Sequence, residues 1–271
     1  MSEPRSIAAI PAAPQVRSAI QRASQATGVD FAYLLGEARL ESSLNPNARA
    51  GTSSAAGLYQ FTQRTWLHTL DRHGAVHGMG WAGEAISGGR VSDPALRATI
   101  MDLRYDPDAA ALMAGELAND NRVALTSVLG REPEAGELYL AHFLGSDGAG
   151  RFLTALAVDP AQSAAALFPA AAGANRAIFY DGAGAPRSLG AVMDLLRSKM
   201  AVAMGDLSPS PSGEGVGGWG LSGNSEVASW DIPHPNPSPE GEGLRSPIAA
   251  AILLRSRSIT APSDRGAPAP S

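Results

Sequence analysis

Four times between residues 93 and 160 an acidic residue stands directly before a proline: Asp93-Pro94, Asp106-Pro107, Glu132-Pro133 and Asp159-Pro160. Proline is tolerated in the first turn of a helix, where its missing N–H has no partner to lose, and a preceding acid accepts from that turn's free amides. The pattern predicts four helix starts and leaves little room for a sheet. Apolar spacing agrees: Val16, Ile20 and Ala23 share one helical face, as do Leu189, Val192, Met193 and Leu196, while strand-like alternation is scarce. Pro14 suits another first turn, and Gly28, Gly130 and Gly145 are placed to close helices. Thr62 caps a short helix carrying Trp66 and Leu70; a Gly-rich stretch with Trp81 runs from Gly74 to Gly89. A last helix is expected from Ser188 to Met204. The fold class predicted is mainly α.

The domain organisation follows from where this periodicity starts and stops. Residues 1–11 read as a flexible lead, 12–204 as one helical domain, and 205–271 as a disordered tail in which Pro, Gly and Ser dominate. The chain has a net charge of -5 and a pI near 5.5, which argues against nucleic acid as the main partner. Cysteine is absent, so disulfides and thiolate metal sites are excluded. No basic segment leads into a continuous apolar run as in a secretory signal, and no stretch reaches the roughly 18 apolar residues of a membrane span.

The residues that carry chemistry lie between Asp30 and Phe61. Asp30 is placed to cap a helix whose apolar face includes Phe31, Leu34, Leu35 and Ala38, and Glu41 continues that face. Asn45-Pro46 stops it. A carboxyl on an apolar face near the negative end of a helix has two reasons for a raised pKa, desolvation and the helix dipole. A general acid working near neutrality needs that property. The ordinary reading, a glutamate at the solvent edge of a helix end, fits the apolar position poorly. Glu37, one turn earlier, is the rival, but the Ser and Asn-Pro that follow Glu41 are missing after it. Further on, Gly57-Leu58-Tyr59-Gln60 forms a small-residue turn presenting an aromatic and an amide.

Taken together, Glu41-Ser42, Asn45-Pro46 and Gly57-Leu58-Tyr59-Gln60 resemble the soluble lytic transglycosylase, or goose-type lysozyme-like, family. The resemblance covers most of the chain before the tail and is sharpest from Asp30 to Trp66. It implies a lysozyme-like helical domain in which the glutamate before Ser is the sole catalytic acid/base, here Glu41. It also implies that Ser42, Tyr59 and Gln60 border the substrate, with Tyr59 standing where Met is commoner. A later landmark of the family, an Ala-Tyr-Asn-Ala-Gly run, aligns with Ala141-His142-Phe143-Leu144-Gly145. His142 thus replaces the family tyrosine, and Tyr139, one turn earlier, is placed to supply the missing hydroxyl. His142 either faces Glu41 or is buried in helix packing.

The implied reaction is cleavage of peptidoglycan glycan strands at the MurNAc-GlcNAc bond. Ordinary glycosidases set two carboxylates across the bond, and no second acid is tied to the Glu41 motif. One carboxyl suffices if the muramoyl 2-acetamido group stabilises the cation and its own 6-hydroxyl replaces water, which yields a 1,6-anhydro sugar. Two alternatives stand beside this: a hydrolytic muramidase on the same fold, and a catalytically weak wall-binding or assembly module. Peptidoglycan is the expected partner, together with an envelope-spanning machine in the specialised case. Neither cofactor nor metal is expected, and the implied location is the periplasm or cell envelope. His68, His73 and His77 read as a surface loop with no acidic partner in their motif. Trp66 and Trp81 read as core or loop anchors, and Tyr59 fits packing under its loop as well as it fits a cleft wall. Phe179-Tyr180 reads as core before cleft.

Overall fold

The computed structural model describes residues 13–205 apart from residue 52. The lead over 1–11 and the tail over 205–271 therefore fall, but for Gly205, outside the described residues. Within them the protein is α-helical, with β pairing limited to isolated bridges. No described helix is long and apolar enough to cross a membrane.

The helices begin where the caps predict. Helix α1 (Ala13–Thr27) buries Val16, Ile20 and Ala23 and gives way at Gly28. Helix α2 (Phe31–Ser42) is capped by Asp30, whose carboxylate accepts from the Tyr33 amide. Helix α3 (Gln63–His73) is capped by Thr62 and runs into a 3-10 turn, Gly74–His77; a short α4 (Gly80–Glu84) follows. Asp93 caps α5 (Pro94–Asp102) and Asp106 caps α6 (Pro107–Leu129), which ends on the left-handed Gly130. Each of these aspartates accepts from first-turn amides, as the Asp-Pro pattern requires.

Three helix boundaries around α7 depart from expectation. Helix α7 (Ala135–Val158) starts two residues after Pro133, behind a capping box between Glu134 and Glu137. It does not end at Gly145. That glycine takes a non-helical conformation with φ 74°, and the helix resumes beyond it on a new axis. Asp159 does not open a helix either: it ends α7, and Ser163 caps the short α8 (Ala164–Leu167). Two further short helices, α9 (Pro169–Ala174) and α10 (Arg176–Phe179), lead to α11 (Leu189–Gly205).

The long helices close a circuit: α1 packs on α6, α6 on α7, α7 on α11, α11 on α2, and α2 back on α1. The core is filled by side chains such as Leu34, Trp66, Met113, Phe152 and Leu196. Trp66 is an anchor as expected, donating its indole N–H to the Ile100 carbonyl at 2.8 Å. Trp81 is not; it is 42% exposed, because α4 is a short helix of small residues with no apolar face to cover an indole. Phe179 is core, packed against Phe143 with ring centres 6.0 Å apart. The circuit matters because it sets α2 and α7 on either side of a buried polar cluster.

Candidate active site

Tyr33, Glu37 and Glu41 follow one another at four-residue intervals, so they form a stripe along α2. That stripe is turned inward. Glu41 is 4% exposed and Glu37 is 2% exposed, values that acidic residues reach only when something compensates the lost hydration. On α7, Tyr139 and His142 lie three residues apart on the face towards α2, with rings nearly parallel and centres 6.2 Å apart. The Tyr139 hydroxyl donates to Oε1 of Glu41 at 3.1 Å. His142 bridges the two acids: Nδ1 lies 2.7 Å from Oε1 of Glu37, and Nε2 lies 3.7 Å from Oε1 of Glu41.

The electrostatics follow from this geometry. Burial pushes the Glu41 carboxyl up; charged His142 pulls it back, the Glu37 charge pushes it up, and the Tyr139 hydrogen bond pulls it down. The balance remains upward, as a general acid requires. Burial alone would lower the His142 pKa, but Glu37 and then Glu41 outweigh it and carry the imidazole from 6.5 to about 9. Tyr33, Tyr59 and Tyr139 are pushed well above the usual phenol range by burial first and by the acids second. All three phenols therefore stay protonated, and Tyr139 is the one that donates to Glu41.

The end of α2 is shaped by an unusual backbone. Ser43 and Leu44 both take left-handed conformations, with φ 53° and 65°, and their amides return to Arg39 and Ala38. The helix thus stops two residues before the Asn45-Pro46 step expected to end it, because the chain has already reversed. Ser42 joins this end to the next motif: its hydroxyl lies 2.8 Å from the Leu58 carbonyl and 3.1 Å from that of Ala38. Gln60 is also left-handed, at φ 49°. The non-glycine residues with positive φ among the described residues all lie in these two adjoining segments. Such strain costs of order 1 kcal/mol or more per residue and collects where a site must be held in one shape.

Arg104 holds that shape. Its guanidinium is buried and donates to the carbonyls of Met101, Ser54 and Phe61. Gly57, at φ 80°, passes so close to the Arg104 carbonyl that a Cβ there would overlap it. The turn is therefore drawn inward: Tyr59 takes the packing position beneath its loop, and Gln60 turns away from the open border expected for it. Tyr59 is fully buried, and its hydroxyl has no hydrogen-bond partner among the described residues. Gln60 spends its amide on the Gly57 and Ala48 carbonyls at 2.8 and 3.3 Å. Neither side chain lines an open surface; both brace the turn beneath the acids.

The structure thus gathers Glu41, Tyr139 and His142 into direct contact and places Ser42, Tyr59 and Gln60 in the supporting shell. Sequence reasoning undervalued Glu37, although its i, i+4 relation to Glu41 was available. It missed Arg104, an arginine with no motif around it. His73 and His77 also differ from expectation. They are paired, not loose: His73 contacts Asp120 and Glu116 at 3.0 and 3.5 Å, and His77 contacts Glu116 at 2.7 Å. Their partners lie some forty residues away on α6, where no local motif reveals them.

Residues 18–78 match the family model described as Transglycosylase SLT domain. The match spans α1, α2, the strained turn and α3, and so includes Glu37, Glu41, Tyr59 and Gln60. It supports a transglycosylase type of function directed at peptidoglycan.

Proposed function

We propose that this SLT-domain protein is a lytic transglycosylase that cleaves the MurNAc-GlcNAc bond of peptidoglycan glycan strands, with Glu41 as its single acid/base. The observation that carries this reading is the Glu41 carboxyl: buried, raised in pKa and held by Tyr139 within the segment that matches the SLT domain. Glu41 gives its proton to the glycosidic oxygen as the bond to the muramoyl anomeric carbon breaks. The substrate's 2-acetamido group stabilises the resulting cation. Glu41, now a carboxylate, takes the proton of the muramoyl 6-hydroxyl as that oxygen closes on the anomeric carbon. Protons balance, water is not consumed, and the product is a 1,6-anhydro sugar.

Glu37 does not supply the second carboxylate of an ordinary glycosidase. It sits on the same helix as Glu41 and is turned towards His142, whereas a two-carboxylate site needs its acids on opposite sides of the scissile bond. The substrate places the enzyme's work in the periplasm or cell envelope. The test is digestion of purified sacculi followed by mass analysis of the fragments. Anhydro-ended products, lighter by one water than the hydrolytic ones, are expected. Fragments with reducing muramoyl ends would instead make the protein a muramidase. Intact sacculi at any pH would leave it a wall-binding module.

A further inference from the structure

Glu37 is the most deeply placed acid of the cluster, and the proposed reaction gives it no task. One of its oxygens touches His142 at 2.7 Å, and the other has no hydrogen-bond partner among the described residues. An ionised carboxylate inside a helical core is destabilising by several kcal/mol unless a charge compensates it. The compensating group within reach is the His142 imidazole, whose side chain is 8% exposed. The ring's other nitrogen points to Glu41. Building on the proposed reaction, we infer that Glu37 is a positioning residue that holds His142 doubly protonated, so that its Nε2–H faces Glu41 as a fixed donor throughout the cycle.

The consequence lies in the polarity of the contact. A neutral imidazole carries one proton. With Nδ1–H bonded to residue 37, its Nε2 presents a lone pair to Glu41 and competes for the proton that Glu41 must donate. A doubly protonated imidazole cannot accept it. It instead stabilises the carboxylate left after the glycosidic oxygen is protonated, and it helps Glu41 remain ionised until the 6-hydroxyl yields its proton. At 3.7 Å the Nε2 contact is longer than a hydrogen bond in the resting site. It therefore favours the charge that develops on Glu41 without binding the resting acid. Among the described residues the charges acting on His142 are those of Glu37 and Glu41 on α2. The remaining titratable groups of the cluster, Tyr33 on α2, Tyr59 in the turn and Tyr139 on α7, are phenols held neutral.

Histidine NMR on the full chain reads this directly. The chain has five histidines, and the His142 signals are assigned by their loss in His142→Gln. In the wild type His142 is expected to stay doubly protonated through neutral pH and to titrate near 9. In Glu37→Gln, which keeps the shape but loses the charge, its pKa should fall to the ordinary 6.5 or below. A His142 that is neutral at pH 7 in the wild type overturns the inference even if the variant does not fold. The same titration in both proteins overturns it as well.

The pH–rate profile on sacculi supplies a second reading. His142 lowers the Glu41 pKa more than Glu37 raises it. Glu37→Gln removes both influences, so the alkaline limb of the profile should move to higher pH. An unmoved limb would count against the dyad. The NMR result stands whether or not sacculi are cleaved. A titration near 9 with no cleavage refutes the transglycosylase reading alone, and cleavage with a neutral His142 refutes the dyad alone.

Discussion

Two clusters in this protein share one plan. In each, a histidine on one helix bridges two carboxylates a helical turn apart on another: His142 with Glu37 and Glu41, and His73 with Glu116 and Asp120. Their surroundings differ. The acids of the first pair have side chains 3% exposed, while those of the second are 15% and 27% exposed. The first pair is also ringed by three buried tyrosines. The second cluster is half-buried, so water and salt still reach its carboxylates and weaken its contacts. In the core, burial raises Glu41 against the pull of His142, and the two acids carry His142 to about 9. The composition of a histidine–carboxylate motif therefore does not fix its electrostatics; the removal of water does.

Activity should separate the clusters most sharply. Glu41→Gln keeps the side-chain shape but can neither donate nor recover a proton, and sacculus cleavage should fall by at least about a thousandfold with melting unchanged. Glu116→Gln should leave cleavage within a fewfold of wild type. Comparable losses in the two variants would erase the distinction drawn from burial.

Next in size is the turn that supports only the first cluster. Gly57→Ala forces a Cβ into the Arg104 carbonyl and asks alanine to adopt φ 80°. A loss of more than about 2 kcal/mol is expected, together with a large drop in cleavage as Tyr59 and Gln60 shift beneath the acids. Urea denaturation checks the first part. A variant of wild-type stability would mean that the turn is not fixed by Arg104.

How far the sequence reveals each region follows from how local its causes are. The caps Asp30, Thr62, Asp93 and Asp106 act within three residues, so α2, α3, α5 and α6 are readable from the chain alone. Glu41 is readable because the helical period puts it on the apolar face of its own helix. The break at Gly145 is harder, since a glycine that ends a helix and one that bends it look alike until packing decides. Arg104 and the partners of His73 and His77 act across 39 to 50 residues, and nothing near them in sequence records the contact. The burial of Tyr59 and Gln60 is hidden in the sequence for the same reason: the buried arginine that draws their turn inward is remote in the chain.

Tyr139→Phe sharpens the comparison by removing a hydrogen bond that the first cluster has and the second lacks. The bond lowers the Glu41 pKa, so its loss should raise that pKa further and move the alkaline limb of cleavage upward. With the developing carboxylate less stabilised, the rate should fall by about tenfold to a hundredfold. An unchanged profile would mean that the phenol does not touch Glu41 during turnover.

Stability against pH gives a smaller effect with a definite sign. The folded pKa of His142, about 9, lies above the ordinary 6.5. Its contribution is therefore fully present below pH 6.5 and lost as pH rises through 9, about 3 kcal/mol in all. Wild-type stability should decline across that window, and His142→Gln should flatten the decline. A slope left intact by the substitution would assign it to other groups.

The smallest effect is expected where the comparison predicts least. Replacing His73 and His77 together by Gln removes the histidine contacts of the half-buried cluster, yet the carboxylates of Glu116 and Asp120 can then turn to water. The stability loss should stay near or below about 1 kcal/mol and shrink further in high salt. Cleavage should be unaltered. Chemical denaturation at low and high ionic strength measures this, with His142→Gln as the partner, where the buried 2.7 Å contact to Glu37 is broken and the loss should be about 3–5 kcal/mol. If the double variant loses as much as the buried single one, or if its loss resists salt, then α3 and α6 shield their cluster from water as α2 and α7 shield theirs. Burial would then no longer explain why one histidine bridge belongs to a site and the other does not.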